Sequence, residues 1–403
     1  MRRSLVALGL LGAAAWALRD IPVAVGGRAR GDRATRVARS PQFRDGRFRN
    51  RPTPAADRTP SAAMAPATLG STLREMALGK EQRTPLGDIP LVTPTVPAER
   101  AQGLHLTWYG HATVLVEIDG ARILFDPVWS DRVSPSRLAG PRRLHRPPQP
   151  LSELPAVDAV VISHDHYDHL DLPTIRTLLR TQTAPIVVPL GIGAHLERWK
   201  VPADRIVELD WSESAEVAGI TLTATPAQHF SGRLFTRDRT LWTSWVAAGP
   251  VHRVFYTGDS GYFPGYAEIG AEHGPFDATL VQIGAYNDNW ADIHMTPEEG
   301  LATHLDVDGG LLVPVHWATF NLATHPWTAP ADRLWHAARA HRVPLAIPRP
   351  GERVDVHNPT PVDPWWQRLG APPPGTPTRP SDTPPPELST AKINTPSPTR
   401  CPS

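Results

Sequence analysis

The chain has 403 residues, of which 40% are hydrophobic and 20% charged, and its net charge is +1. This length and composition exclude a peptide-sized or wholly disordered protein, because enough apolar residues are present to fill at least one core. The single cysteine, Cys401, excludes an intramolecular disulfide framework and any metal site built on several thiolates. A bound metal must therefore be held by histidines and carboxylates.

The N-terminal part of the chain is basic. Residues 1–25 open with Met1-Arg2-Arg3 and continue in an uncharged, mostly apolar run, which predicts an export signal or an N-terminal membrane anchor. An alanine-rich helix of the folded domain is the alternative. Ten Arg against three Asp give residues 21–58 a charge of +7, so we interpret residues 26–60 as a solvated Arg-rich linker or a basic collar at an anionic lipid surface.

The middle and the C-terminal end of the chain differ in residue composition. Residues 61–103 are expected to form an N-terminal extension that packs on the core, and residues 104–355 a single folded domain. Residues 371–403 hold 11 of the 46 prolines and almost no large apolar residues, which predicts a disordered tail over residues 356–403.

Short β-rich runs and helical patterns alternate through the middle of the chain, with Asp119-Gly120 as a hairpin signal. Thr296, Pro297 and Glu299 form the capping box of one predicted helix. Mixed elements in this order predict a sheet-containing α/β sandwich. The predicted strands cover residues 104–108, 113–118, 122–125, 159–162, 186–188, 220–224, 241–246, 254–256, 278–281 and 311–313. The predicted helices cover residues 172–180, 193–199, 264–269, 297–305 and 331–341.

Residues 163–171 read Ser-His-Asp-His-Tyr-Asp-His-Leu-Asp and directly follow a mostly apolar run. Imidazoles and carboxylates crowded behind a buried strand are costly to desolvate unless a positive charge gathers them. Neutral His nitrogen and carboxylate oxygen suit Zn²⁺, Mn²⁺ or Fe. His164 and His166 share one face of an extended strand end, whereas Asp168 and His169 lie further round the turn. The loop can therefore supply ligands to two adjacent metals. A polar surface loop with chance histidines is the alternative.

Three more metal-competent side chains follow predicted strands downstream: His229 after 220–224, Asp259 after 254–256 and His316 after 311–313. Each stands near Gly or Pro, which allow a sharp turn. Taken singly, either histidine is more often a structural residue than a ligand. Taken with the loop, the three supply what a binuclear site needs.

An H-x-H-x-D-H loop followed by isolated His, Asp and His resembles the metallo-β-lactamase superfamily. Within it the chain is similar to the N-acyl-phosphatidylethanolamine-hydrolysing phospholipase D proteins and their bacterial relatives. The resemblance covers residues 43–355. Its most specific stretches are Trp108-Tyr109-Gly110-His111, Phe125-Asp126-Pro127, Gly274-Pro275-Phe276-Asp277, Ile283-Gly284-Ala285-Tyr286 and His316-Trp317-Ala318-Thr319-Phe320.

The resemblance implies the αββα sandwich of that superfamily, an α/β fold, as a single catalytic domain. It implies two Zn²⁺, with Mn²⁺ or Fe as alternatives, about 3.5 to 4 Å apart around a shared hydroxide that attacks the substrate. Asp259 bridges both metals in this arrangement. The remaining implied ligands are His164, His166 and His229 for one zinc, and Asp168, His169 and His316 for the other.

Further roles follow from the same resemblance. Asp168 and Asp259 are expected to act in catalysis, and His294 to bind the phosphate or protonate the leaving alkoxide, with a structural role as the alternative. Asp126 is expected to fix a ligand imidazole. The remaining candidates are expected to line the substrate pocket, to support a ligand or simply to pack: Tyr167, Trp317 and, not as a metal ligand, His111.

The implied activity is that of a binuclear zinc phosphoric diester hydrolase of the phospholipase D type, which converts N-acyl-phosphatidylethanolamine or a related phospholipid to phosphatidate and the head-group alcohol. Hydrolysis of another ester, a lactone or an amide is the alternative. An RNA-processing nuclease is disfavoured by a charge of −9 over residues 59–370, and a non-catalytic metal- or lipid-binding protein by the complete ligand set.

The expected partners are a phospholipid substrate and a membrane surface, with no nucleic acid. Whether the protein forms a homodimer is left open. We expect an exported or membrane-associated protein at the extracytoplasmic face, with signal cleavage also open.

Overall fold

The computed structural model describes residues 20–52, 74–75, 78–234 and 236–370. The strands in these ranges are β1 (Phe43–Arg44), β2 (Arg47–Phe48), β3 (Leu104–Gly110), β4 (Thr113–Ile118), β5 (Ala121–Phe125), β6 (Ala159–Val161), β7 (Ile186–Pro189), β8 (Ile206–Leu209), β9 (Ser214–Val217), β10 (Ile220–Thr225), β11 (Ser244–Ala248), β12 (Arg253–Tyr256), β13 (Phe276–Gln282), β14 (Gly309–Val315) and β15 (Arg353–Asp355). The α-helices are α1 (Ile21–Ala24), α2 (Gly31–Arg39), α3 (Leu172–Thr181), α4 (Gly193–Arg198), α5 (Gly265–His273), α6 (Pro297–Asp306), α7 (Ala329–His341) and α8 (Gln367–Gly370).

Two mixed sheets carry the fold. One has the strand order β15-β3-β4-β5-β6-β7-β8, and the other has the order β14-β13-β12-β11-β10-β9. In each sheet an antiparallel meander joins a parallel part, which comprises β5 to β8 in the first sheet and β12 to β14 in the second. A shared apolar core lies between the sheets, and helices cover their outer faces: α3 and α4 on the first sheet, and α6 on β13 and β14. The predicted αββα sandwich is confirmed.

Strand β4 shows why the apolar runs are uninterrupted. Val114 and Val116 point into the core between the sheets, whereas Leu115 points into the second core beneath α3 and α4. Successive side chains of a strand face opposite sides, so a strand with a core on each side favours apolar residues at successive positions. The charged exception in β4, Glu117, is buried and forms ion pairs with Arg122 and Arg353. Such runs identified most strands correctly.

The sequence located most elements and missed the polar edges. The capping box of α6 is confirmed, since the Thr296 side chain accepts from the Glu299 N–H and the Glu299 side chain accepts from the Thr296 N–H. Strands β8, β9 and β15 were not predicted. They lie at or beside sheet edges, and their half-exposed positions carry charged residues that weaken the apolar signal.

The expected solvated linker over residues 26–60 is structured as far as residue 52. Helix α2 lies in it, and the hairpin β1–β2 turns at Asp45 and Gly46, both with positive φ. Arg33 forms ion pairs with Glu197 and Glu208 of the folded domain. The physical reason for the difference is charge complementarity, since the domain is acidic and the segment is basic.

The folded unit extends beyond residue 355. Trp365 and Trp366 are 1% and 0% exposed in the core between the sheets, and α8 ends at Gly370. The expected tail therefore begins later than residue 356, because two tryptophans are enough to hold the intervening segment on the core. At the other end of the chain, residue Ile89 of the expected extension is buried in the same core.

Several predictions fall outside the described residues: the signal or anchor up to residue 19, part of the 61–103 extension, and the proline-rich segment after residue 370. Among the residues that are described, no helix is both long and apolar enough to cross a membrane.

Candidate metal centre

All seven implied ligands lie at one end of the sandwich, after the C-terminal ends of strands. The loop with His164 and His166 follows β6, His229 follows β10, Asp259 follows β12 and His316 follows β14. A helical turn bends the loop, because the N–H groups of His169 and Leu170 both donate to the His166 carbonyl. Asp171 then caps α3 by accepting from the Thr174 N–H at 3.2 Å.

The first group of donors is His164, His166 and His229. His166 Nδ1 lies 2.8 Å from His164 Nε2 and 3.3 Å from His229 Nε2. Two of the rings are oriented through their other nitrogen: His164 Nδ1 by Ser163 Oγ at 2.9 Å, and His229 Nδ1 by the Ile293 carbonyl at 3.0 Å. Rings held in this way present their free nitrogens to a common point.

The second group is Asp168, His169 and His316, and Asp259 lies between the two groups. His316 Nε2 lies 3.0 Å from Asp259 Oδ2 and 3.3 Å from Asp168 Oδ2. His169 Nε2 lies 3.1 Å from Asp259 Oδ2. The same Asp259 oxygen is 3.9 Å from the Nε2 atoms of the first group's His164 and His229. Asp259 is thus the single carboxylate that faces both groups.

The electrostatics of this cluster call for a central positive charge. Burial alone would raise the pKa of Asp259, but the neighbouring imidazoles of His169 and His316 hold this pKa well below its ordinary value. Burial alone would lower the pKa of His169, but Asp259, Asp168 and Asp126 hold it well above its ordinary value. The buried carboxylates are thus held as anions by positive charge at the adjacent donors, which is the charge that a bound cation would supply.

The donor set fits a divalent metal pair. Asp259 Oδ1 is buried and has no hydrogen-bond partner among the described residues, and the buried Nε2 atoms of His169 and His316 face Asp259 Oδ2 without hydrogen-bond geometry. Unpartnered buried polar atoms are costly unless something ligates them. Imidazole and carboxylate without thiolate suit Zn²⁺, Mn²⁺ and Fe alike, so the donors fit a metal without identifying it.

Asp126 forms the hub behind the ligands, at the end of β5. Its carboxylate accepts from the Ser163 N–H at 2.7 Å and from the Tyr256 hydroxyl at 2.5 Å, and it contacts His169 Nδ1 at 2.6 Å. It therefore fixes the His169 ring, as the sequence predicts for this position. Tyr256 and Ser163 were not singled out as contributors, and a buried tyrosine in a strand carries no signal that would have revealed it.

His111 lies closer to the ligands than a packing residue needs to be. Its Nε2 is 2.9 Å from Asp168 Oδ2, its ring centroid is 4.0 Å from that of His316, and its carbonyl accepts from the His316 N–H at 2.9 Å. Burial lowers the pKa of His111 to about 3, so the ring is neutral. His111 therefore orients Asp168 through its side chain and His316 through its backbone.

Arg233 clamps the back of the loop of residues 163–171, and no sequence pattern indicated this role. Its guanidinium is fully buried, donates to the carbonyls of Asp165 and Leu170 at 2.7 and 2.9 Å, and donates to the Ala24 carbonyl at 2.8 Å. It also lies 4.0 Å above the Tyr167 ring. Tyr167 therefore covers this clamp, and the N-terminal helix α1 is fastened to the same group.

The other candidates lie in different settings. His294 lies at the site, with Nε2 3.9 Å from Asp259 Oδ2 and its ring centroid 5.3 Å from that of His316. Trp317 belongs to the core, 3% exposed and stacked on Trp108. Asn50 joins the site from the N-terminal segment, because its amide donates to the His229 carbonyl at 2.9 Å. The only sequence signal for Asn50 was the upstream end of the family resemblance.

The chain is similar to known proteins along most of its length. The beta-lactamase superfamily domain matches residues 121–317. An uncharacterised protein of Mycobacterium tuberculosis is 50% identical over 363 residues, which are 89% of this chain and 96% of that protein. The N-acyl-phosphatidylethanolamine-hydrolyzing phospholipase D 1 of Caenorhabditis elegans is 37% identical over 247 residues, 58% of this chain and 69% of that protein. A metal-dependent hydrolase of Pyrobaculum aerophilum is 27% identical over 255 residues, 63% of this chain and all of that protein.

The fold, the buried His and Asp cluster and these relatives define a metal-dependent hydrolase. The loops that carry the candidate ligands all lie at the C-terminal ends of strands, at one end of the two-sheet sandwich. The chain belongs to the metallo-β-lactamase superfamily and is a distant homologue of the N-acyl-phosphatidylethanolamine-hydrolysing phospholipase D proteins.

Proposed function

We propose that the protein is a zinc-dependent phosphodiesterase of the phospholipase D type, acting on N-acyl-phosphatidylethanolamine or a related phospholipid to give phosphatidate and the head-group alcohol. The observation that carries the proposal is the convergence of five histidines and two aspartates on Asp259 Oδ2 and its surroundings. The likeness to the C. elegans enzyme over 69% of that enzyme's length supports the choice of substrate.

In this proposal, His164, His166 and His229 would hold one metal, and Asp168, His169 and His316 the other, with Asp259 shared. When bound, such a pair supplies a water-derived nucleophile at neutral pH and polarises the phosphoryl group. The protein supplies rigidity, because Asp126, His111 and Arg233 fix the loop and the ligand rings from behind. Fixed ligands need no rearrangement as charge develops on the phosphoryl oxygens.

We assign to His294 the contact with the phosphate or the leaving alkoxide. Burial lowers the pKa of His294 to about 4, so the ring is neutral near pH 7 and can donate one N–H. Its Nε2 faces the candidate metal centre, 3.9 Å from Asp259 Oδ2, so this is the atom that we propose meets the substrate. A neutral imidazole can hydrogen-bond a leaving oxygen in this way.

The decisive experiment is turnover of N-acyl-phosphatidylethanolamine vesicles by the full chain with zinc, with phosphatidate measured as product. We expect phosphatidate with the wild type and none with His166→Ala, while the exposed control His341→Ala retains activity. Parallel assays with phosphatidylcholine, a lactone and an amide separate the phospholipase from other hydrolases on the same site. Turnover of the lactone or amide without any phosphatidate would exclude the proposal.

We further propose that the basic segment before residue 52 meets an anionic membrane surface. Arg30, Arg44 and Arg49 are exposed on it. Each exposed basic residue near an anionic leaflet contributes about 1 kcal/mol. The wild type should therefore pellet with phosphatidylglycerol vesicles and not with phosphatidylcholine vesicles, and the triple change of these arginines to Gln should weaken pelleting. Equal pelleting of both proteins would contradict this.

A further inference from the structure

A second group of potential metal ligands lies at the opposite end of the strands from the catalytic cluster. His252 immediately precedes β12, whereas Asp259 follows it; Asp277 is the second residue of β13; and His357 lies two residues after β15. Each of the three offers one ligand atom, and these atoms all lie within 4.8 Å of one another. Three separate stretches of chain thus bring an imidazole, a carboxylate and an imidazole to one point.

His252 is oriented for ligation by Asp119 in the β4–β5 turn. His252 Nδ1 lies 2.5 Å from Asp119 Oδ1, and Asp119 Oδ2 accepts the N–H groups of Val251 and His252 at 2.9 and 3.0 Å. A carboxylate that takes one ring N–H leaves the lone pair of the other nitrogen facing outward, which is the arrangement found behind metal-bound histidines. The turn, through Asp119, therefore presents Nε2 of His252.

The other two donors are held less firmly: Asp277 by one hydrogen bond to its carboxylate, and His357 only through its backbone. Asp277 Oδ2 accepts the Arg253 N–H at 2.7 Å, which leaves its second oxygen for a ligand. The His357 N–H donates to Asp355 Oδ1 at 3.1 Å, and its ring lies 4.9 Å from that of His252 between centroids. His357 is exposed, so its ring is able to adjust its position.

The spacing favours an ion over direct contact. Among the described residues, no ion pair within 4.0 Å joins Asp277 to His252 or to His357, although all three donors lie within 4.8 Å. Donors that ligate a transition metal lie about 2 Å from it, and so up to about 4 Å from one another. The three side chains are therefore too far apart to satisfy one another and close enough to surround a metal after a small adjustment of His357.

We propose that His252, Asp277 and His357 bind a third zinc ion, separate from the catalytic pair, with Asp119 as the residue that orients His252. Three protein ligands leave one coordination position to water. This ion would fasten the segment after β15, an edge strand of the first sheet, to the β11–β12 turn and to β13, which lie inside the second sheet. It lies at the far ends of the strands from Asp259, and so it takes no part in the reaction there.

The test counts zinc on the full-length protein after equilibrium dialysis against buffered free zinc. We expect three zinc ions per chain for the wild type, two for His252→Ala and two for His357→Ala. The matched control His341→Ala, an exposed histidine at the end of α7, should keep three. Circular dichroism before and after dialysis verifies that each variant is folded.

A second measurement separates this site from the catalytic one. His357→Ala should turn over substrate at the wild-type rate. The Tm of the wild type should rise further when free zinc is increased beyond the level that fills the catalytic pair, and His357→Ala should lack this further rise. Two zinc ions on the wild type, or an unchanged count in both histidine variants, would overturn the proposal. Failure of phospholipid hydrolysis would leave the zinc count unaffected, so the two proposals are tested independently.

Discussion

The two ends of the sandwich gather the same residue types and treat them differently. At the catalytic end, His164, His169 and Asp259 are almost completely buried, and a rear layer of Asp126, Ser163 and Tyr256 orients them. At the opposite end, His252 and Asp277 are half-buried and His357 is exposed; Asp119 supports His252, and the Arg253 N–H donates to Asp277. Burial and the supporting layer, rather than residue type, therefore separate the two groups, and at the catalytic end they accompany strong pKa shifts of His169 and Asp259.

The largest effect should follow from removing the carboxylate that faces both donor groups. Asp259→Ala is expected to lower kcat/KM on a phosphodiester by at least about 10³-fold, because it removes the carboxylate that faces both donor groups and that we propose the two metals share. The measurement is turnover of bis(p-nitrophenyl) phosphate together with zinc content. Asp204→Ala, at an exposed position, serves as control. If Asp259→Ala retained turnover, substitution at the catalytic end would affect activity no more than substitution at the surface.

Next in size should be the loss of the buried clamp behind the loop of residues 163–171. Arg233→Met is expected to lower the free energy of unfolding by about 3 kcal/mol, since the carbonyls of Asp165, Leu170 and Ala24 lose their donor. Urea denaturation measures this, with the exposed Arg180→Met as control. If both variants lowered the free energy of unfolding by the same small amount, Arg233 would not stabilise the catalytic end.

A smaller effect is expected from the supporting layer. Asp126→Asn should weaken metal affinity about 10- to 100-fold, because it replaces the carboxylate that orients His169. Competition with a chromophoric zinc chelator gives the affinity. The comparable change at the other end, Asp119→Asn, should not alter the zinc affinity of the catalytic cluster. Equal effects of the two changes on this affinity would contradict the proposed difference between the ends.

The smallest effect concerns a buried histidine at the non-catalytic end. Burial lowers the pKa of His304 to about 4, and Thr279 Oγ1 lies 2.7 Å from its Nδ1. The unfolded chain, with a pKa near 6.5, takes up the proton first. The stability that neutral His304 contributes is thus present above pH 6.5 and is lost as the pH falls toward 4, by about 1 to 2 kcal/mol at pH 5.

His304→Asn should remove that part of the pH dependence, because the amide does not titrate. Urea denaturation at pH 7 and pH 5 measures it, and the exposed His341→Asn should behave as the wild type does. If His304→Asn lost as much stability as the wild type on acidification, the titrating group would have to lie elsewhere, with the catalytic histidines as the first candidates.

The sequence by itself determined the sandwich and the order of the ligands. Apolar runs with a core on each face predict strands without reference to the rest of the chain, and the spacing of His164, His166 and His169 is a local property of one loop. His229, Asp259 and His316 were also accessible, because each follows a strand whose end the sequence located. These inferences depend on contacts close in sequence or on the rule that the C-terminal ends of neighbouring parallel strands share an edge.

Only the tertiary structure decided which residues support these ligands. Arg233 meets carbonyls 63 and 209 positions away, and Asn50 reaches His229 across 179 positions. No local pattern encodes such contacts, since a buried arginine and an exposed one have the same letter. The basic segment looked like a linker for the same reason: its acidic partners Glu197 and Glu208 come beside it only when the chain folds.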